Sequence, residues 1–139
     1  MDLRYISGFF DADGSITMSY SKTSDKFKTI KIDFTNVELN ILQKIQQYLK
    51  DMYNLNLFIS TKPARKETHS ISYSLSANSN QTCYTLCTLL MSIHPKKKHR
   101  INTILKYHNQ VTKRNGKYND KEIMRKLAYE RLFFSTIFQ

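Results

Sequence analysis

Ile6-Ser7-Gly8-Phe9-Phe10-Asp11-Ala12-Asp13-Gly14-Ser15 joins a helical face of small residues directly to two closely spaced acids and a glycine. The chain has only three glycines, and two of them, Gly8 and Gly14, fall in this stretch. Close backbone approach and sharp turning are what glycine does at least cost, so their placement marks geometry. From Leu3 to about Ala12 the residues read as a first helix, with Ile6, Phe9 and Phe10 on one side and Gly8 and Ala12 on another. Such a helix has two faces that can pack.

Beyond Ser15 the apolar period changes from helical to two. Ile16, Met18 and Tyr20 alternate with Thr17, Ser19 and Ser21, and Ile30, Ile32 and Phe34 alternate with Thr29, Lys31 and Asp33. Both segments read as half-buried strands, and the polar connection Lys22 to Lys26 makes them a long hairpin. Leu39, Leu42, Ile45, Tyr48, Leu49 and Met52 then recur at helical spacing, which predicts a second helix from Glu38 to about Tyr53. The cycle repeats with Leu57 to Lys62 and Ser70 to Ser76 as a hairpin around Pro63-Ala64-Arg65-Lys66. A third helix is expected from Gln81 to Ile93, capped by Asn80 or Ser79 and ended by Pro95. The basic run Lys96-Lys97-Lys98-His99-Arg100 opens another helix, with Gly116 as its stop signal, and Asn119 or Asp120 caps a last one through Leu132.

This order predicts a single α+β domain over 1–139, with an αββαββα core: a four-stranded antiparallel sheet covered by helices on one face. The other face would be polar, lined by Thr17, Ser19, Ser21, Thr29, Lys31, Asp33, Ser70, Ser72 and Ser74. Those donors and acceptors suit the base edges of a wide groove, and they equally suit the wet side of any half-exposed sheet.

The formal net charge of +11 calls for a polyanionic partner, nucleic acid ahead of a membrane surface, although a basic structural protein would share it. No run of about 18 apolar residues is present, and Met1-Asp2-Leu3-Arg4 lacks a secretory pattern. Cys83 and Cys87 lie four apart on a helix, a poor geometry for a disulfide, so they are expected to be buried thiols of a reducing, intracellular compartment.

Asp11-Ala12-Asp13-Gly14-Ser15 admits three readings. A helix-loop-helix calcium site needs glycine at the sixth loop position and glutamate at the twelfth; counted from Asp11 these are Ile16 and Lys22, which excludes it. A plain helix-to-strand turn would put Gly14 in a left-handed conformation and leave the carboxylates in water. Against that, acids in a helix C-terminal turn oppose the macrodipole by some tenths of a kcal/mol, a cost that a bound cation removes.

In the third reading the stretch resembles the motif of the LAGLIDADG homing endonuclease family, aligned on Ile6 to Gly14. Gly8, Asp11, Ala12, Asp13 and Gly14 are identical; Ser7 keeps a small residue, and Ile6, Phe9 and Phe10 keep bulk. The element order and length of the whole chain are also similar to that family's core. One copy of the motif is present, and single-motif members work as homodimers, so the resemblance implies a homodimer with Gly8, Ala12 and Asp11 at its interface. The physics agrees, because small residues four apart let two helices approach closely across a twofold axis.

That approach would bring two Asp13 carboxylates together, a repulsion relieved by divalent cations, of which Mg²⁺ is the natural hard-oxygen choice. Asp13 is therefore the leading catalytic and metal-binding residue. The resemblance adds the Ala12 carbonyl as a second metal contact and gives Asp11 a supporting role at the helix end. It also places an amide or acid that holds a metal-bound water at Asn36, with Asn40 one helical turn on as a second such position; both otherwise read as helix caps around Glu38. A lysine near the scissile phosphate aligns with Lys97, with Lys96 and Lys98 as neighbouring registers and a solvated helix start as the plain alternative. His99, alone in a basic run, reads as a phosphate contact at most.

The implied function is sequence-specific, Mg²⁺-dependent cleavage of both strands of a long, near-palindromic double-stranded DNA target, leaving 3′ overhangs. Lys31, Lys62, Arg65 and Lys66 join the polar sheet residues as expected DNA contacts. Family members are usually encoded in introns or inteins, and a composition rich in Lys, Asn, Ile and Tyr suits an AT-biased organellar genome, a mitochondrion or chloroplast. The alternative is a non-cleaving nucleic-acid binder, such as an RNA-binding splicing maturase or a transcription regulator, which would need Gly8 and Ala12 but not Asp13.

Overall fold

The computed structural model describes residues 1–21, 24–64, 70–113 and 117–135, with 21 and 24–26 described as backbone alone. The elements are α1 (Leu3–Asp13), β1 (Gly14–Ser21), β2 (Ser24–Asn36), α2 (Leu39–Tyr53), β3 (Phe58–Lys62), β4 (Ser72–Ala77), α3 (Asn80–Leu89), α4 (Pro95–Val111) and α5 (Asp120–Phe133). The four strands form one antiparallel sheet in the order β1-β2-β4-β3. This is the α+β arrangement expected from the alternating periods.

Strand alternation turns Ile16, Met18, Ile30, Ile32, Phe34, Leu75 and Ala77 to one buried face. Ile6 and Phe10 of α1, Leu42, Ile45 and Leu49 of α2, Leu86 of α3, Ile104 of α4 and Phe133 of α5 close over it in a single core. Phe10 meets Phe34 edge-on, with ring centroids 5.8 Å apart, which locks α1 onto the middle of the sheet.

Several boundaries differ from expectation for reasons the contacts make plain. Gly14 is not left-handed: its φ of −98° and ψ of 164° are extended, and the helix passes into β1 without a turn. Glycine is needed there for space, because a Cβ would lie 2.4 Å from the Phe10 ring and 2.6 Å from the Phe10 carbonyl oxygen. The one left-handed non-glycine among the described residues is Asn54, with φ of 55°, which closes α2 through bonds to Leu49 and Lys50 carbonyls.

α3 stops at Leu89, short of the expected Ile93, and Pro95 starts α4 at its first turn, where its fixed φ and missing N–H cost nothing. The residues between are held by α1: Ser7 Oγ accepts from Met91 N at 3.0 Å, and the Asp11 carboxylate accepts from Ile93 N at 2.9 Å and from the Ser92 hydroxyl. Ser79, not Asn80, caps α3, while Asn119 caps α5 in a reciprocal box with Glu122. Gly116 lies outside the described residues. Cys83 and Cys87 are buried and unpaired with each other; burial pushes the Cys83 thiol up to about 12.

Candidate active site

The antiparallel register pairs Gly14 with Phe34, so the last residue of β2, Asn36, lies beside the C-terminal end of α1. Asn36 Nδ2 donates to Asp13 Oδ2 at 2.9 Å, and Asn36 Oδ1 accepts from Glu38 N at 2.8 Å. A single amide thus orients the acid, which the sequence reading did not foresee, and fixes the entry into α2, as the capping alternative expected. Asn40 is exposed on the first turn of α2.

α4 brings Lys97 to the same helix end. Its Nζ donates to Phe10 O at 2.9 Å and Asp11 O at 2.8 Å, and lies 5.3 Å from the centre of the Phe10 ring. Phe10 O also accepts from the Gly14 amide, whereas the Asp11 carbonyl lies past the last helical donor; both carry the negative end of the helix dipole, which a cation there offsets. Burial lowers the Lys97 ammonium below its ordinary value, against the opposing pull of Asp11 and Asp13. Lys96 and Lys98 are exposed, which decides among the three neighbouring lysines which one reaches the end of α1. His99 Nε2 lies 2.8 Å from Leu132 O and so turns toward α5.

The two acids of the motif are therefore divided. Asp11 faces inward to the linker before α4, while Asp13 is exposed and, among the described residues, held on one oxygen by Asn36. Among the described residues no group of three or more His, Cys, Asp or Glu side chains is placed to hold a metal. The Asp13 carboxylate and the Ala12 carbonyl are hard oxygens suited to Mg²⁺, yet they make up only part of the octahedral shell it demands. The fit is right in donor type and incomplete in one chain.

Gly8 and Ala12 are exposed on the outer side of α1, and a Cβ on Gly8 would meet nothing within 4 Å. Nothing among the described residues requires glycine there. Arg100, which the sequence marked only as part of a basic run, donates to Ile16 O at 2.8 Å and lies 4.9 Å from the Phe133 ring, bracing α4 against β1 beside the site.

The polar face of the sheet holds Thr17, Thr29 and Lys31 half-buried and Ser19 and Lys62 exposed. Ser70, at the foot of β4, and Ser72 also remain partly or fully open. Two expected contacts are engaged inside the sheet instead. Ser74 is 2% exposed and its hydroxyl donates to Asp33 Oδ1 at 3.3 Å, with Ser76 donating to the same oxygen at 2.5 Å and Lys31 Nζ at 3.8 Å. Ser74 presents no surface of its own; it fixes Asp33. The Ser21 side chain, Arg65 and Lys66 lie outside the described residues. Ser60, Ser76 and Phe58 share this face and were missed, although the alternation of Phe58, Ser60 and Lys62 against Ile59 was there to be read.

The family model described as LAGLIDADG endonuclease matches residues 6–99, from α1 into α4. This chain belongs to the LAGLIDADG endonuclease family. The matched segment contains Asp13, Asn36 and Lys97 together. No curated protein sequence matches the chain. Among solved structures, the archaeal intron-encoded homing endonuclease I-Vdi141I, complexed with DNA, aligns over 93% of this chain and 96% of its own, with a TM-score of 0.52 and 12% identity. The K262A mutant of I-SmaMI aligns over 94% of this chain but only 42% of its own, with a TM-score of 0.61 and 13% identity. I-CvuI, in complex with a DNA target in the presence of Mg, aligns over 94% of this chain and 80% of its own, with a TM-score of 0.56 and 15% identity. At these identities the likeness is one of fold.

Proposed function

We propose that this LAGLIDADG protein is a homodimeric, Mg²⁺-dependent, sequence-specific DNA endonuclease that hydrolyses one phosphodiester in each strand of a long, near-palindromic target. The observation that supports it best is the meeting of Asp13, Asn36 and Lys97 at the end of α1, beside a sheet whose open face is polar. The DNA complexes of I-Vdi141I and I-CvuI, the latter in the presence of Mg with its DNA not cleaved, support DNA as the partner and a divalent cation as the cofactor.

Gly8 and Ala12 let a second α1 approach, so that the partner's Asp13 and the DNA phosphates supply the oxygens one chain lacks. A bound Mg²⁺ would supply an activated water and neutralise charge on the phosphate and the leaving oxygen. Asp13 and the Ala12 carbonyl would hold it, and Asn36 keeps the acid aimed. The Lys97 ammonium has three N–H donors, two of them on the Phe10 and Asp11 carbonyls, and the third is left for a phosphate oxygen or the attacking water. The basic side chains supply salt-dependent affinity, and the sheet face supplies sequence choice.

The test incubates purified protein with a randomised duplex library and Mg²⁺, comparing wild type with Asp13→Asn. Cleavage of a selected sequence by wild type, with binding kept and cutting lost in the variant, is expected. Mg²⁺-independent RNA binding with no DNA cutting overturns the proposal.

A further inference from the structure

We infer that Phe58 is a specificity residue that contacts the 5-methyl group of a thymine in the major groove, an assignment that rests on the DNA reading above. Phe58 opens the edge strand β3 and is 64% exposed. Its neighbour Ile59 pairs with core residue Leu75, so the pleat turns Phe58 to the opposite, polar face, where it pairs with Ser76.

The register makes it the end of one row across all four strands. Ser15 pairs with Asp33, Asp33 with Ser76, and Ser76 with Phe58. The row begins two residues from Asp13, so Phe58 sits level with the active end of the sheet rather than at the distant hairpin tip. Ser15, Asp33 and Ser76 are hydrogen-bonding side chains, and Ser76 is committed to Asp33. The phenyl ring is the apolar member of a polar surface.

An isolated exposed aromatic needs no explanation on a general surface. Here it stands on the one face proposed to enter a groove, where an exposed side chain meets either phosphate or base edge. A phenyl ring cannot bond a phosphate or a base heteroatom, and stacking on a base needs an unpaired strand. The apolar feature of a duplex major-groove edge is the thymine methyl. Burying that methyl against the ring gives discrimination of a few-fold, the scale of one buried carbon group.

The test selects a duplex with the wild-type protein from a random library, then replaces each thymine singly with deoxyuridine, which removes only the methyl. Affinity is measured without metal for wild type, Phe58→Ser and Phe58→Leu, both variants altered at an exposed position. One thymine per half-site is expected at which deoxyuridine weakens wild type about three- to five-fold. At that position Phe58→Ser should bind thymine and uracil alike, and Phe58→Leu should keep part of the difference. Methyl sensitivity that persists in Phe58→Ser, or is absent at every position, overturns this assignment while leaving the endonuclease reading intact. Failure of the wild-type protein to bind any duplex overturns both.

Discussion

The carboxamide of Asn36 holds the Asp13 carboxylate at 2.9 Å while accepting the Glu38 amide at 2.8 Å, so the exposed acid of the motif and the start of α2 share one orienting group. Two substitutions separate those tasks. Asn36→Asp keeps an oxygen for the Glu38 amide but sets a carboxylate against Asp13; stability should hold near wild type while cleavage falls at least tenfold. Asn36→Ala loses both bonds and should also cost about 1 kcal/mol of stability. Urea midpoints and single-turnover cleavage, measured on the same preparations, check both; equal cleavage by Asn36→Asp and wild type would remove Asn36 from the site.

Lys97 ties α4 to the end of α1, beside the chemical role proposed for it. Lys97→Met leaves the Phe10 and Asp11 carbonyls without their ammonium donor at a half-buried helix end, with an expected loss of about 1–3 kcal/mol. Cleavage should fall further than this instability explains. Lys96→Met and Lys98→Met alter exposed side chains and should stay within about 0.5 kcal/mol of wild type. Chemical denaturation of the three variants is the check, and a Lys98→Met loss equal to that of Lys97→Met would contradict the geometry.

The two glycines of the opening motif should answer differently to the same change. Gly14→Ala forces a Cβ to within 2.4 Å of the Phe10 ring and 2.6 Å of its backbone oxygen, so Phe10 must leave its place against Phe34; a loss of about 2 kcal/mol or more is expected. Gly8→Ala meets nothing in the chain and should gain about 0.5–1 kcal/mol from helix propensity. Gly8→Leu should leave the monomer folded but drive the proposed dimer apart in sedimentation. A Gly8→Leu protein that remains dimeric would remove α1 as the interface.

What was legible follows how local each interaction is. The period change at Ser15, the cap at Asn119 and the inward set Ile16, Met18, Ile30, Ile32 and Phe34 depend on neighbours in sequence, and they read correctly; Tyr20, expected in the same inward row, is instead 54% exposed. The end of α3 did not read correctly, because Met91 and Ile93 are pulled out of helical register by Ser7 and Asp11, more than eighty residues away. The extended conformation of Gly14 counts against the plain-turn reading: an Asp-Gly pair usually marks a turn, whereas here the Phe10 ring and carbonyl set the demand for glycine. At the site, the motif itself located Asp13, and Lys97 came from its alignment. The burial of Ser74 under its taller neighbours, and its bond to Asp33, required the register of β2 against β4.

Acid should weaken the joint between α4 and α5 through His108. The imidazole is buried, with Nδ1 3.1 Å from Tyr129 Oη and 3.5 Å from Thr112 Oγ1, and the Tyr84 ring packs against it. From α5, Lys126 faces it as well, its ammonium donating to Thr112 Oγ1 at 2.5 Å, with Glu130 close by on the same helix. Burial is the main cause that lowers His108 to about 4 from an ordinary value near 6.5, and the Lys126 charge adds to it. Between those values the unfolded chain binds a proton that the folded chain refuses. The stability from a neutral His108 is therefore complete above pH 6.5 and is lost as pH falls toward about 4, with a slope of up to about 1.4 kcal/mol per pH unit. His108→Gln, which keeps an acceptor but cannot titrate, should flatten that part of the profile. Urea midpoints of the two proteins at intervals from pH 7 to pH 4 provide the measurement; parallel curves would place the acid sensitivity elsewhere, among the carboxylates common to both.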